Sequence, residues 1–408
     1  MNVGEGRRDW TFRMTPTRYV LLCLAAIGTG FAVFRLLFGL GAATNLNDRW
    51  PWGLWVWWDV MTGVALAGGG YSTALMVHIF GRRRWKAVER GAFLTSLIGY
   101  LLVCAGLFLD LGRWINVWRV PFIWELNPHS VMFELVWCVT GYTVVQIVEF
   151  GYIFVERVHA PRLARLLSRI YVPVLIVGIT LPILHQSALG SLYLLANGRL
   201  DPLWWSQFLP AFFLVSSFFV GPAMVTVESF LSVRAHGRRL PIPVLGQMVR
   251  VSGVLMLAYV AARAVDLILR GAARSAFDGS VASTLFLVEL GVCVMLPACL
   301  FLAPNLARRP DRLVLASVLT VVGVALNRAN VVFTGMAATA AGAMYVPSLA
   351  EVGLTVGLLA AGVLAYLFAV DNFPIYPPGR VVPAAPSELR AIERAPAPAR
   401  APEPAGVR

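Results

Sequence analysis

Charged side chains are scarce in this 408-residue chain, where Asp, Glu, Lys and Arg together make up 13%. A soluble globular domain carries about 25%, so composition excludes an ordinary water-soluble fold. Cysteine is scarce as well. The five (Cys23, Cys104, Cys138, Cys293, Cys299) form no CxxC or CxxCH, which argues against a thiolate-held iron–sulfur cluster or a c-type haem in this chain. All five fall in apolar runs and read as buried thiols. Histidine is limited to His78, His129, His159, His185 and His236. A b-type haem between helices needs two axial ligands at matching depth. Only His129 and His185 fall on one side of the membrane in the topology derived below, so no haem and no metal site are expected. Long polar segments are missing too. No connection between apolar runs exceeds about 20 residues, so chemistry on a water-soluble substrate must reside in another subunit. The alternating pattern of a transmembrane barrel strand is also absent.

What is present is length in the apolar runs. Ten spans read as roughly 19–41, 52–80, 91–112, 130–158, 169–192, 205–232, 247–270, 280–303, 312–335 and 349–371. Each clears the ~20 residues a helix needs to cross ~30 Å of hydrocarbon. The expected fold is therefore all-α, a polytopic transmembrane bundle. It divides into an N-terminal arm (1–18), a membrane domain (19–371) and a Pro/Ala/Arg-rich tail (377–408). The tail cannot bury enough apolar surface to order itself. The first span is longer than a signal-peptide core and lacks a small-residue cleavage site after it, so it is expected to be retained.

The net charge of +13 is a topology signal. The N-terminal arm, the C-terminal tail and the loops after spans 2, 4, 6 and 8 hold 25 of the 34 Lys and Arg; the loops after spans 1, 3, 5, 7 and 9 hold 7, one of them beside span 9. Arg35 and Arg263 lie within spans. By the positive-inside rule both termini are cytoplasmic, and no nucleic-acid partner is implied. Small residues in span 1 (Gly28, Gly30) and span 2 (Gly63, Gly68, Gly69, Gly70) mark helix contacts, while Pro182, Pro222 and Pro297 are expected to kink their spans. No convincing repeat relates the two halves, which weakens a transporter built on inverted repeats.

Direction converts positions into depths at about 1.5 Å per residue. Asp59 of span 2, Asp110, Arg113 and Trp114 at the exit of span 3, His129 and Glu134 at the entry of span 4, and His185 with Gln186 in span 5 all fall in the outer third. Ionisable groups in a membrane are costly and face a cavity or a partner. Two readings follow, a structural ion-pair network or a polar pocket open to lipid. A quinone suits the second. Its tail needs lipid access, and its ring needs a hydrogen-bond partner and a proton acceptor. His185 is the candidate partner, Glu134 or Asp110 the candidate acceptor, and Arg113 the group that orients a carboxylate. Trp50, Trp52, Trp114, Trp118 and Trp124 read as an interfacial belt.

A second stripe runs along span 4. Tyr142, Gln146, Glu149 and Glu156 share one helical face and form either a proton path to the cytoplasm or an interhelical hydrogen-bond seam. In the second half, Arg263 and Asp266 at i, i+3 are expected to pair. Glu228, Glu289 and Glu351 are buried acids without a local cation, and Arg35 is available to any of them.

Four segments, "GLGAATNLNDRWPWGLWVWWDVMTGVALAGGG" (39–70), "DLGRWINVW" (110–118), "SVMFELVWC" (130–138) and "LPILHQSALGSLYLL" (181–195), closely resemble the NrfD/polysulfide-reductase membrane subunits, in particular the HybB-type subunit of periplasmic nickel–iron hydrogenases. The resemblance runs from about Thr15 to about Pro378, weaker in the second half. It implies a haem-free anchor that passes electrons between menaquinone or ubiquinone and a periplasmic ferredoxin-like iron–sulfur subunit, in the bacterial inner membrane. It also implies a quinone site in the first helical bundle (52–192), mapping onto Asp59, Asp110, Arg113, Glu134 and His185. At His129 the family pattern more often has asparagine. The expected partner docks on loops 42–51 and 110–129 and is joined by a catalytic subunit, of nickel–iron hydrogenase or, alternatively, of a molybdopterin enzyme or a larger electron-transfer assembly. A secondary transporter is the rival of another class.

Overall fold

The computed structural model describes residues 10–376 except 121, 123–126, 128, 159–160, 197, 237–240, 305, 307–308 and 338–344. The expected disordered tail at 377–408 lies outside the described residues. Ten helices long and apolar enough to cross a membrane follow in order. They are α1 Pro16–Phe38, α2 Val56–Ile79, α3 Arg83–Asp110, α4 Val131–Val155, α5 Arg162–Leu194, α6 Leu209–Ala235, α7 Ile242–Leu269, α8 Val281–Leu302, α9 Pro310–Ala337 and α10 Leu349–Asn372. Among the described residues there is no strand, only an isolated bridge between Asn47 and Trp50. The all-α expectation holds span for span.

Local chemistry sets the helix ends. Thr15 caps α1 by accepting from the Arg18 amide, with Pro16 in the first turn, and Gly39 at φ +86° ends it, a region that costs other residues strain. Ser348 and Glu351 form a capping box on α10. Three helices contain wider π turns: α2 at Val56–Thr62 and Leu75–Ile79, α8 at Val288–Met295 and α9 at Asn330–Thr334. Three of the four place a polar side chain, Asp59, Glu289 or Asn330, in the interior, and such turns recur at functional sites.

Helices α2, α3, α4 and α5 pack in sequence, as do α6, α7, α8 and α9; α2 and α6 join the two groups, and the α1–α10 pair rests on α3 through α10. Small residues set these approaches, because helices in lipid associate by backbone proximity. A Cβ at Gly28 would lie 2.5 Å from the Gly357 Cα, and one at Gly69 would lie 3.2 Å from the Gly221 carbonyl oxygen. Gly63 and Gly70 likewise face Val103 and Ser96. Gly30 departs from its expected role, since a Cβ there meets open space.

The bundle is apolar outside and polar within. Arg35, Arg328, Glu289, His185 and Gln186 are fully buried, whereas Leu37, Ile268 and Leu269 are exposed. A surface of this kind matches hydrocarbon rather than water, and the protein is an integral multi-pass membrane protein. Two expectations need correction. Cys138 and Cys293 are buried thiols, but Cys23 and Cys299 are exposed on the outer face of the bundle, where an apolar thiol is as well solvated by lipid as by protein. The arginine counted beside span 9 is Arg328, which is buried within α9. That leaves six on the sparse side, and the asymmetry is unchanged in sign.

The two ends of the bundle differ. One carries Arg82–Arg84 and Arg162, the other Trp50, Trp52, Trp114 and Trp118. At the arginine-rich end the chain closes on itself. Arg18 pairs with Asp371 at 2.6 Å, Thr11 and Asn372 exchange two 2.8 Å hydrogen bonds, and Arg90 and Arg157 donate to the Pro374 and Asn372 carbonyls. Tyr366 and Tyr376 both donate to Glu228 Oε1.

Candidate functional site

At the tryptophan-rich end, α1, α2, α3 and α10 enclose a charged cluster. Asp59 sits in the first π turn of α2 and is buried, and Gly106 of α3 lies directly against it, since a Cβ there would be 2.7 Å from the Asp59 Cβ. One turn on, Asp110 ends α3 half-buried, within electrostatic range of Asp59, Arg35 and Glu351. Asp59 Oδ2 accepts from Thr355 at 3.3 Å. Arg35 donates from Nε to the Leu109 carbonyl at 2.5 Å and from Nη2 to that of Leu111. It thereby satisfies the open carbonyls at the end of α3. Its Nη1 is buried without a protein partner.

Glu351 completes this end. It accepts from the Asn45 and Ser348 amides at 3.1 and 2.8 Å and from the Tyr345 hydroxyl. Tyr345 also accepts from the Leu54 amide at 2.9 Å. Burial, with the neighbouring Glu351, pushes the Tyr345 phenol well above its ordinary value, so it stays a donor.

A second cluster lies between α3, α4 and α5. Tyr100 Oη is 2.6 Å from His185 Nε2, and His185 Nδ1 is 3.1 Å from the Leu181 carbonyl. The Tyr142 ring packs edge-on against Tyr100 with centroids 4.5 Å apart. Gln146 Nε2 donates to Tyr142 Oη at 2.5 Å and to Ser96 Oγ at 2.7 Å. Gln186 Nε2 donates to the Val64 carbonyl at 3.0 Å, leaving its Oε1 buried and unpartnered. Further toward the arginine-rich end Glu149 faces Gly178 of α5 and lies within electrostatic range of Tyr142 and Glu89. Glu89 Oε1 is 2.5 Å from His78 Nε2, and Tyr171 Oη lies 3.2 Å from the same nitrogen. The side chain of Glu156, the last member of the expected stripe, lies outside the described residues.

The residues expected to share one pocket are thus distributed over three places. Asp59 and Asp110 belong to the first cluster, and His185 lies in the second with Gln186 buried beside α2. Arg113, His129 and Glu134 are exposed at the tryptophan-rich surface. Trp114 is half-buried and donates to the Leu36 carbonyl at 3.2 Å. His129 donates its amide to Asn127 Oδ1 at 3.0 Å, and Arg113 makes no ion pair among the described residues, whereas Arg35 lies within electrostatic range of Asp110. Trp124 lies outside the described residues. Sequence reading missed Tyr100, Thr355 and Tyr345. For Tyr100 the available signal was a phenol deep in an apolar run, which needs a hydrogen-bond partner when buried.

The second half holds its own buried network. Glu289 accepts from Trp204 Nε1 at 3.1 Å, Asn327 Nδ2 at 2.7 Å and Asn330 Nδ2 at 2.8 Å. Asn327 Oδ1 in turn accepts from Arg328 at 2.5 Å, and Arg328 also donates to Ser216 Oγ at 2.7 Å and stacks over the Phe213 ring. The expected Arg263–Asp266 pair is not formed. Asp266 binds Arg270 at 2.8 Å and Ser206 at 2.8 Å, while Arg263 donates to the Leu203 carbonyl between the Phe212 and Phe286 rings. Arg270 is one turn on at the helix end, where its charge keeps contact with water.

Comparison with known proteins agrees with this architecture. A protein of Nitratidesulfovibrio vulgaris is 30% identical over 371 residues, covering 89% of this chain and 95% of that protein. The probable Ni/Fe-hydrogenase 2 b-type cytochrome subunit of Escherichia coli is 29% identical over 88% of this chain and 91% of its own length. The integral membrane subunit of menaquinone reductase from Nitratidesulfovibrio vulgaris is 26% identical, over 85% and 88%. The family model for polysulphide reductase, NrfD, matches residues 42–340, from the loop before α2 to the end of α9, and the chain belongs to that family.

Proposed function

We propose that the chain is the quinone-reactive membrane subunit of a respiratory oxidoreductase in the bacterial inner membrane. It passes electrons between an iron–sulfur subunit, docked on loops 42–51 and 110–129, and menaquinone or ubiquinone. The catalytic partner in this reading is a nickel–iron hydrogenase, with a molybdopterin enzyme as the alternative. Support comes from the family, from relatives whose names place them in a hydrogenase and a menaquinone reductase, and from the arginine asymmetry. The positive-inside rule puts the arginine-rich end in the cytoplasm. The observation that carries the reading is the pair of acids, Asp59 and Asp110, within electrostatic range of each other at the opposite end, next to the exposed loop that would meet a partner.

Reduction of a quinone takes two electrons and two protons. In this reading Asp59 and Asp110 hold those protons at carboxylate oxygens, and the buried, unpartnered Nη1 of Arg35 serves as a donor to a ring oxygen. His185, with both nitrogens engaged by protein, acts in this reading by fixing the Tyr100 hydroxyl. From Tyr100 the polar groups Tyr142, Gln146, Glu149 and Glu89–His78 lead toward the arginine-rich end. In this reading they supply a path for protons from the cytoplasm.

The hydrogenase relative is named a b-type cytochrome subunit. Here His185 is engaged by Tyr100 and Leu181, His78 is bound to Glu89 at the other end, and His129 is exposed. No two described histidine side chains face each other at one depth, so these residues do not fit a bis-histidine haem.

The test is purification of the intact complex, with identification of its subunits and extracted lipid-soluble cofactors, alongside Asp59→Asn and Asp110→Asn. Each substitution is expected to lower quinone reduction by about 10²-fold or more, the usual scale for loss of a general acid or base, with subunit content unchanged. Full activity in both variants would remove the reading.

A further inference from the structure

The connection from α2 to α3 is a tight, basic turn. Gly81 takes φ +65°, the Arg82 amide returns to the Met76 carbonyl at 2.9 Å and that of Arg83 to the Gly81 carbonyl at 2.8 Å. The next three residues form a short helical turn, Arg83–Trp85, anchored by the buried Trp85 and resting on α7. Arg82, Arg83 and Arg84 are thereby displayed together. Arg250, on the third turn of α7, reaches the same place. With Gln247 these four arginines line a cavity of about 590 Å³ between the turn and α7.

None of the four guanidinium groups has an ion-pair or hydrogen-bond partner among the described residues. Four like charges around one cavity repel one another and call for a counter-charge from outside the chain. Guanidinium forks match the oxygens of a phosphodiester in paired hydrogen bonds. The flanks say where that phosphodiester comes from. Ile79 and Phe80, just before the turn, are 59% and 62% exposed, and Val254, one turn along α7 from Arg250, is 59% exposed. Apolar side chains bracket the basic cavity at the edge of the spanning region, so its natural occupant carries an anionic head and hydrocarbon tails.

We propose that this cavity is a binding site for an anionic phospholipid. The phosphodiester sits among Arg82, Arg83, Arg84 and Arg250, and the acyl chains lie along the exposed apolar faces of α2 and α7. Basic pockets between transmembrane helices recognise headgroups in this way. The site is independent of the quinone reading and lies at the other end of the bundle.

The experiment is native mass spectrometry of the full chain purified in a neutral detergent. The protein is equilibrated with phosphatidylglycerol, with the two-phosphate lipid cardiolipin, or with phosphatidylethanolamine, and each arm is repeated in excess inorganic phosphate. The wild type is expected to retain an anionic lipid, not phosphatidylethanolamine, and to keep it in free phosphate. Arg250→Gln leaves the α2–α3 turn and its topogenic charge intact, and is expected to weaken retention about tenfold, the scale of one charge-assisted contact. Arg162→Gln, at the same end but outside the cavity, is expected to change nothing. Equal retention of phosphatidylethanolamine, displacement by free phosphate, or an unchanged Arg250→Gln would each overturn the proposal.

Discussion

Tyr100 and His185 meet across the interior of the first helix group with Oη and Nε2 2.6 Å apart, both side chains fully buried. The Leu181 carbonyl near Nδ1 only accepts, so Nδ1 carries the ring proton, and Nε2 accepts from Tyr100. Tyr100→Phe therefore leaves a buried acceptor empty. The expected loss of stability is about 1 kcal/mol, in line with hydrogen bonds between membrane helices, read as a lower thermal midpoint in detergent. On the quinone reading the same variant also slows quinone reduction by more than that loss accounts for. A purely structural bond would move the midpoint alone.

Glu289 binds Trp204 and two asparagines, one of which holds Arg328. Glu289→Ala leaves Trp204, Asn327 and Asn330 without their acceptor and the buried Arg328 without its nearby counter-charge, and removing one partner of a buried ionic network typically costs 3–5 kcal/mol. Glu289→Gln, which keeps an acceptor oxygen, is expected to cost less, and Glu289→Leu combined with Arg328→Met to recover part of the loss. Denaturation of the three variants in one detergent checks the order. A stable Glu289→Ala would show that the network contributes little.

Gly28 and Gly357 touch backbone to backbone, whereas Gly30 faces open space. Gly357→Val is expected to force α1 from α10 and lower stability by several kcal/mol, as overpacking at a backbone contact does. Gly30→Val is expected to stay within about 0.5 kcal/mol of wild type, the range for surface positions. Comparison of thermal midpoints separates the two.

Tyr345 links Leu54 to Glu351 with its proton held more tightly in the folded state than in the free chain. Its contribution to stability is complete below the ordinary tyrosine value of about 10 and declines as pH rises above it. Stability measured from pH 8 to 11 is expected to fall more steeply in wild type than in Tyr345→Phe. Parallel curves would contradict the assignment.

Span positions were legible because hydrocarbon thickness sets a length that composition reports directly. The small residues Gly28, Gly63 and Gly69 were legible because close approach in lipid demands them. The polar groups were legible only in depth. Residue counting gives height along the bilayer normal but not rotation about a helix axis, so Glu134 and Asp110 shared a level yet point to different surroundings. The π turn under Asp59 adds a further rotation that no 3.6-residue count contains. Asp266 had arginines at i−3 and at i+4, and spacing alone did not choose between them; water at the helix end favoured Arg270. Arg328 went unrecognised as an interior charge because its partners, Asn327 apart, come from other helices.

The paired hydrogen bonds between Thr11 and Asn372 join residues 361 apart in sequence. Ten crossings is an even number, so the beginning and the end of the membrane domain must emerge on one side, and here they are already stitched together. The polypeptide is in effect a loop with a removable seam. A circularly permuted gene, spliced across that seam by a short flexible linker and reopened between α4 and α5 on the same side, should insert with every helix facing as before.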